Sequence, residues 1–225
     1  MFIRESMTGK LVTIDKDVGI LEAREKMDLH RIRHLPVVEK DHQLIGIVSD
    51  RDIREALPSG PFEQFDFSKE KERLSTLKIK NIMTRDPITI SPMHTLEDAL
   101  LLIQEKMVGA LPVVDADGRL IGILSVRDLL RAFINVLGIG EPGTLLGILV
   151  EDKIGQLKGI VDAITAEHVS FGSVLVVKHW EKNKRAVFPY LLTQNVVPVK
   201  RKLEELGYTL IDPLDWNLDR LPDNS

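Results

Sequence analysis

Hydrophobic and polar positions in the first 133 residues follow one pattern that occurs twice. The apolar run Leu-Pro-Val-Val at 35–38, a polar turn and a second apolar run at 44–49 all return 76 residues later. At this offset residues 7–57 align on residues 83–133 without a gap. A repeat of this length indicates a structural unit that has been duplicated in tandem.

Each repeat has the pattern of a β-α-β-β-α unit. Short β-branched runs at 12–14 and 88–90 predict a first strand. The helical period that follows begins at Thr95 in the second repeat, and the two later apolar runs predict a pair of strands before a second helix. About fifty residues are few for an independent core, so we expect the two repeats to bury a shared face. The predicted class is α+β.

A signature follows the Leu-Pro-Val-Val run in both repeats. It reads Gly-Ile-Val-Ser-Asp-Arg-Asp at 46–52 and Gly-Ile-Leu-Ser-Val-Arg-Asp at 122–128. With this signature the two repeats resemble a tandem pair of cystathionine-β-synthase (CBS) domains, the pair called a Bateman module. The resemblance implies a sensor of adenosine ligands such as AMP, ADP, ATP or related compounds.

The signature also places a serine and an aspartate where the second helix of each repeat begins. They are Ser49 and Asp52, and then Ser125 and Asp128. A helix N-terminus attracts phosphate, and an acid beside it can accept hydrogen bonds from ribose hydroxyls. Ser-x-x-Asp is equally a capping pattern, in which both residues satisfy the N–H groups of their own helix. The two copies, within the family resemblance, favour the ligand-binding interpretation.

The two predicted sites differ in charge. Arg33 and His34 precede the Leu-Pro strand of the first repeat, whereas Gly109 and Ala110 stand at these positions in the second. The family resemblance implies that basic residues here contact the phosphates of the ligand, and arginine suits this because its planar fork donates two parallel hydrogen bonds. A solvated basic edge is the alternative. We therefore expect the primary nucleotide site in the first repeat.

Composition restricts the remaining classes of function. The net charge is −4 and cysteine is absent, which argues against general nucleic-acid binding and excludes thiolate chemistry. The beginning of the chain has no signal-peptide pattern, and no apolar run is long enough to span a membrane. The six histidines lack metal-ligand spacing. We predict a cytoplasmic protein without catalytic residues, metal or cofactor.

Two loop-like segments divide the chain. Residues 58–82 connect the repeats, and the turn-forming run Pro58-Ser59-Gly60-Pro61 ends the helix before them. We expect Phe62, Phe65 and Phe67 to anchor this connector to the core. The charged pattern at 68–74 predicts a short helix. The Gly-rich stretch 138–143 is the clearest linker. The predicted domains are therefore a tandem pair at 1–137 and a further domain at 144–225.

The region after the linker has a different pattern. Its apolar periods predict the order β-α-β-β-α-β, which is a ferredoxin-like arrangement. Asp152, Gly155 and Leu157 match the Asp-x-x-Gly-x-Leu of ACT domains, with Ile154 where proline is common. This resemblance implies an amino acid or small metabolite bound at the first strand–helix turn. The alternative is that Gly155 only permits a tight helix entry and the domain dimerises or transmits a signal.

The whole arrangement resembles the acetoin-utilisation B (AcuB) proteins of bacteria. Our hypothesis is a non-enzymatic regulator that binds adenosine nucleotide in the CBS pair, acts on an unidentified protein partner and forms a homodimer. The alternative is a structural interaction module with vestigial sites, in which the serine and aspartate of each repeat only cap their helix.

Overall fold

A computed structural model describes residues 1–57 and 76–211. Most of the predicted connector, including its three phenylalanines and its charged helix, lies outside these residues. Contacts divide the chain into an N-terminal unit, Met1–Leu130, and a C-terminal unit, Arg131–Ser225, with the division inside a continuous helix. The two units are described separately.

The N-terminal unit contains both repeats. The first repeat consists of α1 (Ile20–His30), β1 (His34–Val38), β2 (Leu44–Ser49) and α2 (Asp50–Ala56). The second begins with β3 (Thr84–Arg85) and continues with α3 (Leu96–Lys106), β4 (Ala110–Val114), β5 (Leu120–Ser125) and α4 (Val126–Leu137). The residues of α4 after Leu130 belong to the C-terminal unit. The predicted start of α3 is confirmed, because Thr95 and Asp98 form a capping box. In both repeats the hairpin joins antiparallel strands, β1 with β2 and β4 with β5.

The prediction that residues 12–14 and 88–90 form strands is wrong. Each is reduced to one parallel bridge, from Ile14 to Val37 and from Ile90 to Val113. The chain turns away directly after each bridge. The Asp17 N–H donates to Asp15 Oδ1 (2.8 Å) after the first, and the Met93 N–H donates to Ser91 Oγ (3.3 Å) after the second. One residue therefore reaches the edge of the hairpin, and the β-branched neighbours that suggested a strand do not extend the ladder.

The first segment of each repeat pairs with the hairpin of the other repeat, so the two segments are exchanged. β3 lies at the start of the second repeat but pairs with β2 of the first, while Thr8 lies at the start of the first repeat and pairs with Ile123 of the second. Gly46 of the signature allows this crossing, because a Cβ there would lie 2.8 Å from Met83 Sδ and 3.0 Å from the Thr84 carbonyl oxygen. The exchange brings residues of both repeats to each signature.

The core of the first repeat is aliphatic and continues across this crossing. Leu35, Val48 and Ile53 are fully buried, and Ile79 from the segment before β3 belongs to the same cluster. Each large aliphatic side chain removed from water contributes about 1.5–3 kcal/mol. The core thus fixes the hairpin, α2 and the lead-in of the second repeat around one site.

The C-terminal unit has one antiparallel sheet and two helices. Its elements are β6 (Thr144–Leu145), β7 (Gly147–Glu151), α5 (Gln156–Ala166), β8 (Phe171–Glu181), β9 (Lys184–Leu191), α6 (Val197–Glu205) and β10 (Thr209–Ile211). The strand order is β10-β7-β9-β8, and β6 pairs with β9 beside β7. The first strand predicted after the linker is therefore divided in two, with the interruption at Leu146. Ile160 and Ile164 of α5 and Leu203 of α6 pack with the sheet in one core.

Candidate functional site: a cleft shared by the two repeats

A cleft of about 570 Å³ lies where β2 meets α2, with residues of both repeats around it. This volume falls within the range of small-molecule sites. The first repeat contributes Arg33, His34, Ile47, Ser49, Asp50, Arg51, Asp52 and Arg54; the exchanged segment and the second repeat contribute Thr84, Asp86, Pro87, Ile88, Met107, Val108, Gly109 and Ala110. We call it the first cleft. It brings together four of the predicted site residues: Arg33, His34, Ser49 and Asp52.

Ser49 and Asp52 form the helix cap that the alternative interpretation predicted. The N–H and the hydroxyl of Ser49 each donate to Asp52 Oδ2 at 2.7 Å, and the Asp52 N–H donates to Ser49 Oγ at 3.3 Å. The Asp50 N–H donates to the Arg33 carbonyl oxygen at 2.9 Å. The N–H groups of Ser49, Asp50 and Asp52 are thus engaged within the protein and are not free to bind phosphate. Within the described residues Asp52 Oδ1 accepts no hydrogen bond and stays available.

Three arginines surround the cap. Arg54 is paired with Asp50 at 3.0 Å. No described carboxylate lies within ion-pair distance of Arg33 or Arg51. Sequence reasoning found Arg33 but missed Arg51 and Arg54, although Arg51 stands inside the signature itself. Arg33 and Arg51, which have no ion-pair partner among residues 1–57 and 76–211, line the same cleft as Asp52. Such a set of side chains suits an anionic ligand that also carries hydroxyl groups.

The opposite wall was also missed. Thr84, Asp86 and Ile88 come from the exchanged segment, and the chain from Met107 to Ala110 comes from the second repeat. No local pattern indicates that these residues face Ser49, because the crossing is a property of the tertiary fold. Ile88, Met107, Val108 and Ala110 provide, with Ile47, the apolar surface of the cleft.

Ser125 and Asp128 repeat the cap in different surroundings. The Ser125 N–H and hydroxyl donate to Asp128 Oδ2 at 2.9 and 2.6 Å. Asp128 is only 7% exposed, and Thr8 Oγ1 lies 3.4 Å from its other oxygen, Oδ1. Asp128 is thus more enclosed than Asp52, and Gly109 stands where the first repeat has Arg33.

His34 is half-buried at the junction of the two repeats. Burial lowers the pKa of its imidazole below the ordinary value of 6.5, and Arg33 acts in the same direction, while Asp52 and Asp50 act against it. Among the described residues, neither ring nitrogen makes a hydrogen bond to the protein. The neutral ring is therefore the form that this environment favours.

The residues of the predicted ACT-like turn lie together in the C-terminal unit. Asp152 is ion-paired with Arg185, whose Nε is buried and finds no hydrogen-bond partner in the described residues. Gly155 has φ +94°, a left-handed conformation that favours glycine, and it precedes α5. Leu157 is exposed. The carboxylate expected to face a ligand is thus engaged by an arginine.

The described residues show neither a metal-binding cluster nor a helix that could span a membrane. They contain no group of three or more His, Asp or Glu side chains placed to hold a metal ion. None of their helices combines the length and apolar character needed to cross a membrane.

Comparison with known families decides the identity of the two repeats. The model of the CBS domain matches residues 3–59 and 79–135, just over half of the chain. The chain belongs to the CBS-domain family. A CBS domain-containing protein of Dictyostelium discoideum is 36% identical over 137 residues, which are 61% of this chain and 94% of that protein. Proteins of this family are typically regulatory modules.

The CBS pair also occurs within larger proteins. Inosine-5′-monophosphate dehydrogenase of Methanocaldococcus jannaschii is 32% identical over 127 residues, which are 56% of this chain but 22% of that enzyme. The CBS-domain chain described here thus spans only about a fifth of the enzyme that it matches.

Solved CBS pairs share this fold. A Vibrio cholerae protein assigned to acetoin utilization (AcuB) has 26% identity and a TM-score of 0.52, with 63% of this chain and 98% of that chain covered. A CBS pair crystallised with 5′-methylthioadenosine and S-adenosyl-L-methionine has 26% identity and a TM-score of 0.50, with 59% of this chain and 99% of that chain covered. CBS pairs related to this chain thus bind adenosine ligands.

Proposed function

We propose that this protein is a non-enzymatic regulator that binds an adenosine nucleotide in the first cleft. The observation that carries the proposal is the meeting of three features in one cavity of ligand size. They are an Asp52 oxygen and two arginines without partners in the described part of the chain, and an apolar wall. Asp52 Oδ1 accepts hydrogen bonds from ribose hydroxyls. Arg33 and Arg51 bind phosphate, and the base lies against the apolar wall.

The bound compounds of the related CBS pair support this choice of ligand class, because both contain adenosine. Arg33 and Arg51, which have no carboxylate partner among the described residues, support a phosphorylated member of the class. AMP, ADP and ATP supply an anion for both.

Thermal shift followed by titration calorimetry tests the proposal. AMP, ADP, ATP, S-adenosylmethionine and 5′-methylthioadenosine are compared, with GMP as a control for the base. A ligand that binds only the folded state stabilises it by about 2.7 kcal/mol at a hundred times its Kd. If no adenosine compound raises the Tm, the alternative function holds, and the protein is an interaction module in which Ser49 and Asp52 only cap α2.

We also propose a homodimer formed through the second repeat. Leu101 and Leu130 are 64% and 60% exposed. The corresponding positions of the first repeat hold Glu25 and Arg54, so the shared fold does not require apolar residues there. A second copy of the chain covers this surface with its own second repeat, since pairing with the first repeat would bury charges against leucines.

For the C-terminal unit we propose a ferredoxin-like, ACT-like domain at 144–225, joined by the linker 138–143 to the pair at 1–137. The order β-α-β-β-α-β and the glycine turn before α5 support this. Because Asp152 is engaged by Arg185, we favour signal transmission or dimerisation over an amino-acid ligand at this turn. A cytoplasmic location and a regulated protein partner also belong to the proposal.

Hydrogen exchange tests whether the two domains are linked. Saturating AMP should alter the protection of the backbone amides at 152–157 from exchange, since α4 begins beside the second signature and continues toward the linker. Coupling between two sites is typically about 1–3 kcal/mol. Unchanged exchange there, with clear AMP binding, would show that the domains act independently.

A further inference from the structure

The imidazole of His34 packs against Gly109, which has no side chain, at the junction of the repeats. A Cβ placed on Gly109 would lie 2.8 Å from His34 Nε2 and 2.9 Å from its Cε1, so the imidazole occupies the space that a side chain would need. At the repeat offset His34 corresponds to Ala110, which has no titratable group. The second repeat thus provides a wall for a ring that the first repeat alone carries.

The ring also faces charges of both signs. Asp50, Asp52, Arg51 and Arg54 of α2 line the same cleft, as do Arg33 beside the ring and Asp86 from the exchanged segment. Arg54 and Asp50 pair with each other, and Asp52 is held by the Ser49 cap. The formal charges of these six groups sum to zero, so a bound phosphate dianion adds negative charge that they do not already neutralise.

We propose that His34 makes the first cleft select phosphorylated over unphosphorylated adenosine ligands, by taking up one proton from solvent when the phosphate binds. This rests on the proposed function of the same cleft. In the empty cleft burial keeps the pKa of the ring low. A phosphate dianion within reach of the ring favours the imidazolium and gives its N–H groups an acceptor.

The linkage has a definite sign. A proton bound together with the ligand makes the affinity for AMP rise as pH falls, by up to about tenfold per pH unit. Adenosine carries no phosphate, so its affinity should not change with pH. The ligand's own titration acts in the opposite direction, because a phosphate monoester with a second pKa of about 6 releases its residual proton beside arginines.

Titration calorimetry of the full chain at about pH 7.5, in two buffers of different ionisation enthalpy, counts the protons. The expected result is net uptake with AMP, none with adenosine, and none with AMP for His34→Gln. His42→Gln is the matched control, since His42 is exposed on the β1–β2 turn outside the cleft, and it should retain the uptake.

The outcomes separate the two proposals. If AMP does not bind at all, the proposed function fails. If AMP binds without proton uptake, or if His34→Gln still takes up the proton, nucleotide binding stands and the role of His34 is refuted. Should His34→Gln fold poorly, the comparison of AMP with adenosine on the unaltered chain, with the His34 Cε1–H resonance followed by NMR, decides the question alone.

Discussion

Truncation of the two signature aspartates should separate ligand binding from helix capping. Asp52→Ala and Asp128→Ala remove the same cap, and loss of a cap costs about 0.5–2 kcal/mol of the free energy of unfolding. Asp128 is more enclosed and also contacts Thr8, so its loss should destabilise the fold more. Asp52 lines the first cleft, and its Oδ1 accepts no hydrogen bond from the described residues.

The affinity for nucleotide should show the reverse order. A hydrogen bond to a charged group contributes about 1.5–3 kcal/mol, so Asp52→Ala should weaken AMP binding by roughly 10- to 150-fold at 1.4 kcal/mol per factor of ten. Asp128→Ala should leave it within a few-fold. Calorimetry with AMP and ATP measures affinity, and urea unfolding measures stability.

Asp52→Asn is the matched control for the cap. Its amide oxygen still accepts from Ser49, so stability should be largely retained while ribose binding weakens through loss of the charge. Equal loss of affinity in the two alanine variants, or loss only with Asp128→Ala, would refute the assignment of the first cleft as the primary site.

Three further outcomes are expected. Gly46→Ala should lower the free energy of unfolding in urea by about 1–3 kcal/mol, because the added Cβ meets the exchanged segment. Gly9→Ala should be neutral, since no atom lies within 4 Å of the added Cβ. Equal effects of the two substitutions would contradict the packing argument. Leu101→Glu with Leu130→Arg should give a monomer by light scattering, and a persistent dimer would place the interface elsewhere. Because burial lowers the pKa of His34, the unfolding free energy of the empty protein should fall as pH drops below about 6.5; His34→Gln should remove that component, and an unchanged profile would exclude it.

The helix caps could be predicted from the local sequence, but the full role of their aspartates could not. Ser-x-x-Asp could be interpreted as a cap or as a ligand site, and both interpretations depend on one carboxylate. The structure shows that Oδ2 serves the cap while Oδ1 of Asp52 is available. This division between two oxygens of one side chain depends on neighbours beyond the motif.

Local patterns failed where pairing depends on a distant partner. The β-branched runs at 12–14 and 88–90 have strand propensity, but only Ile14 and Ile90 meet a hairpin edge. Strand formation requires a neighbour with free N–H and C=O groups, and propensity does not show whether one is present.

The sequence by itself determined the duplicated unit, the order of its later helices and strands, the Ser–Asp caps and the family, because these depend on periodicity and on contacts three or four residues apart. Only the tertiary structure decided which residues share a site. The exchange of the lead-in segments places Thr84 and Asp86 beside Ser49, and the packing of the repeats places Gly109 against His34. Such contacts join positions dozens of residues apart, so no local pattern in the sequence records them.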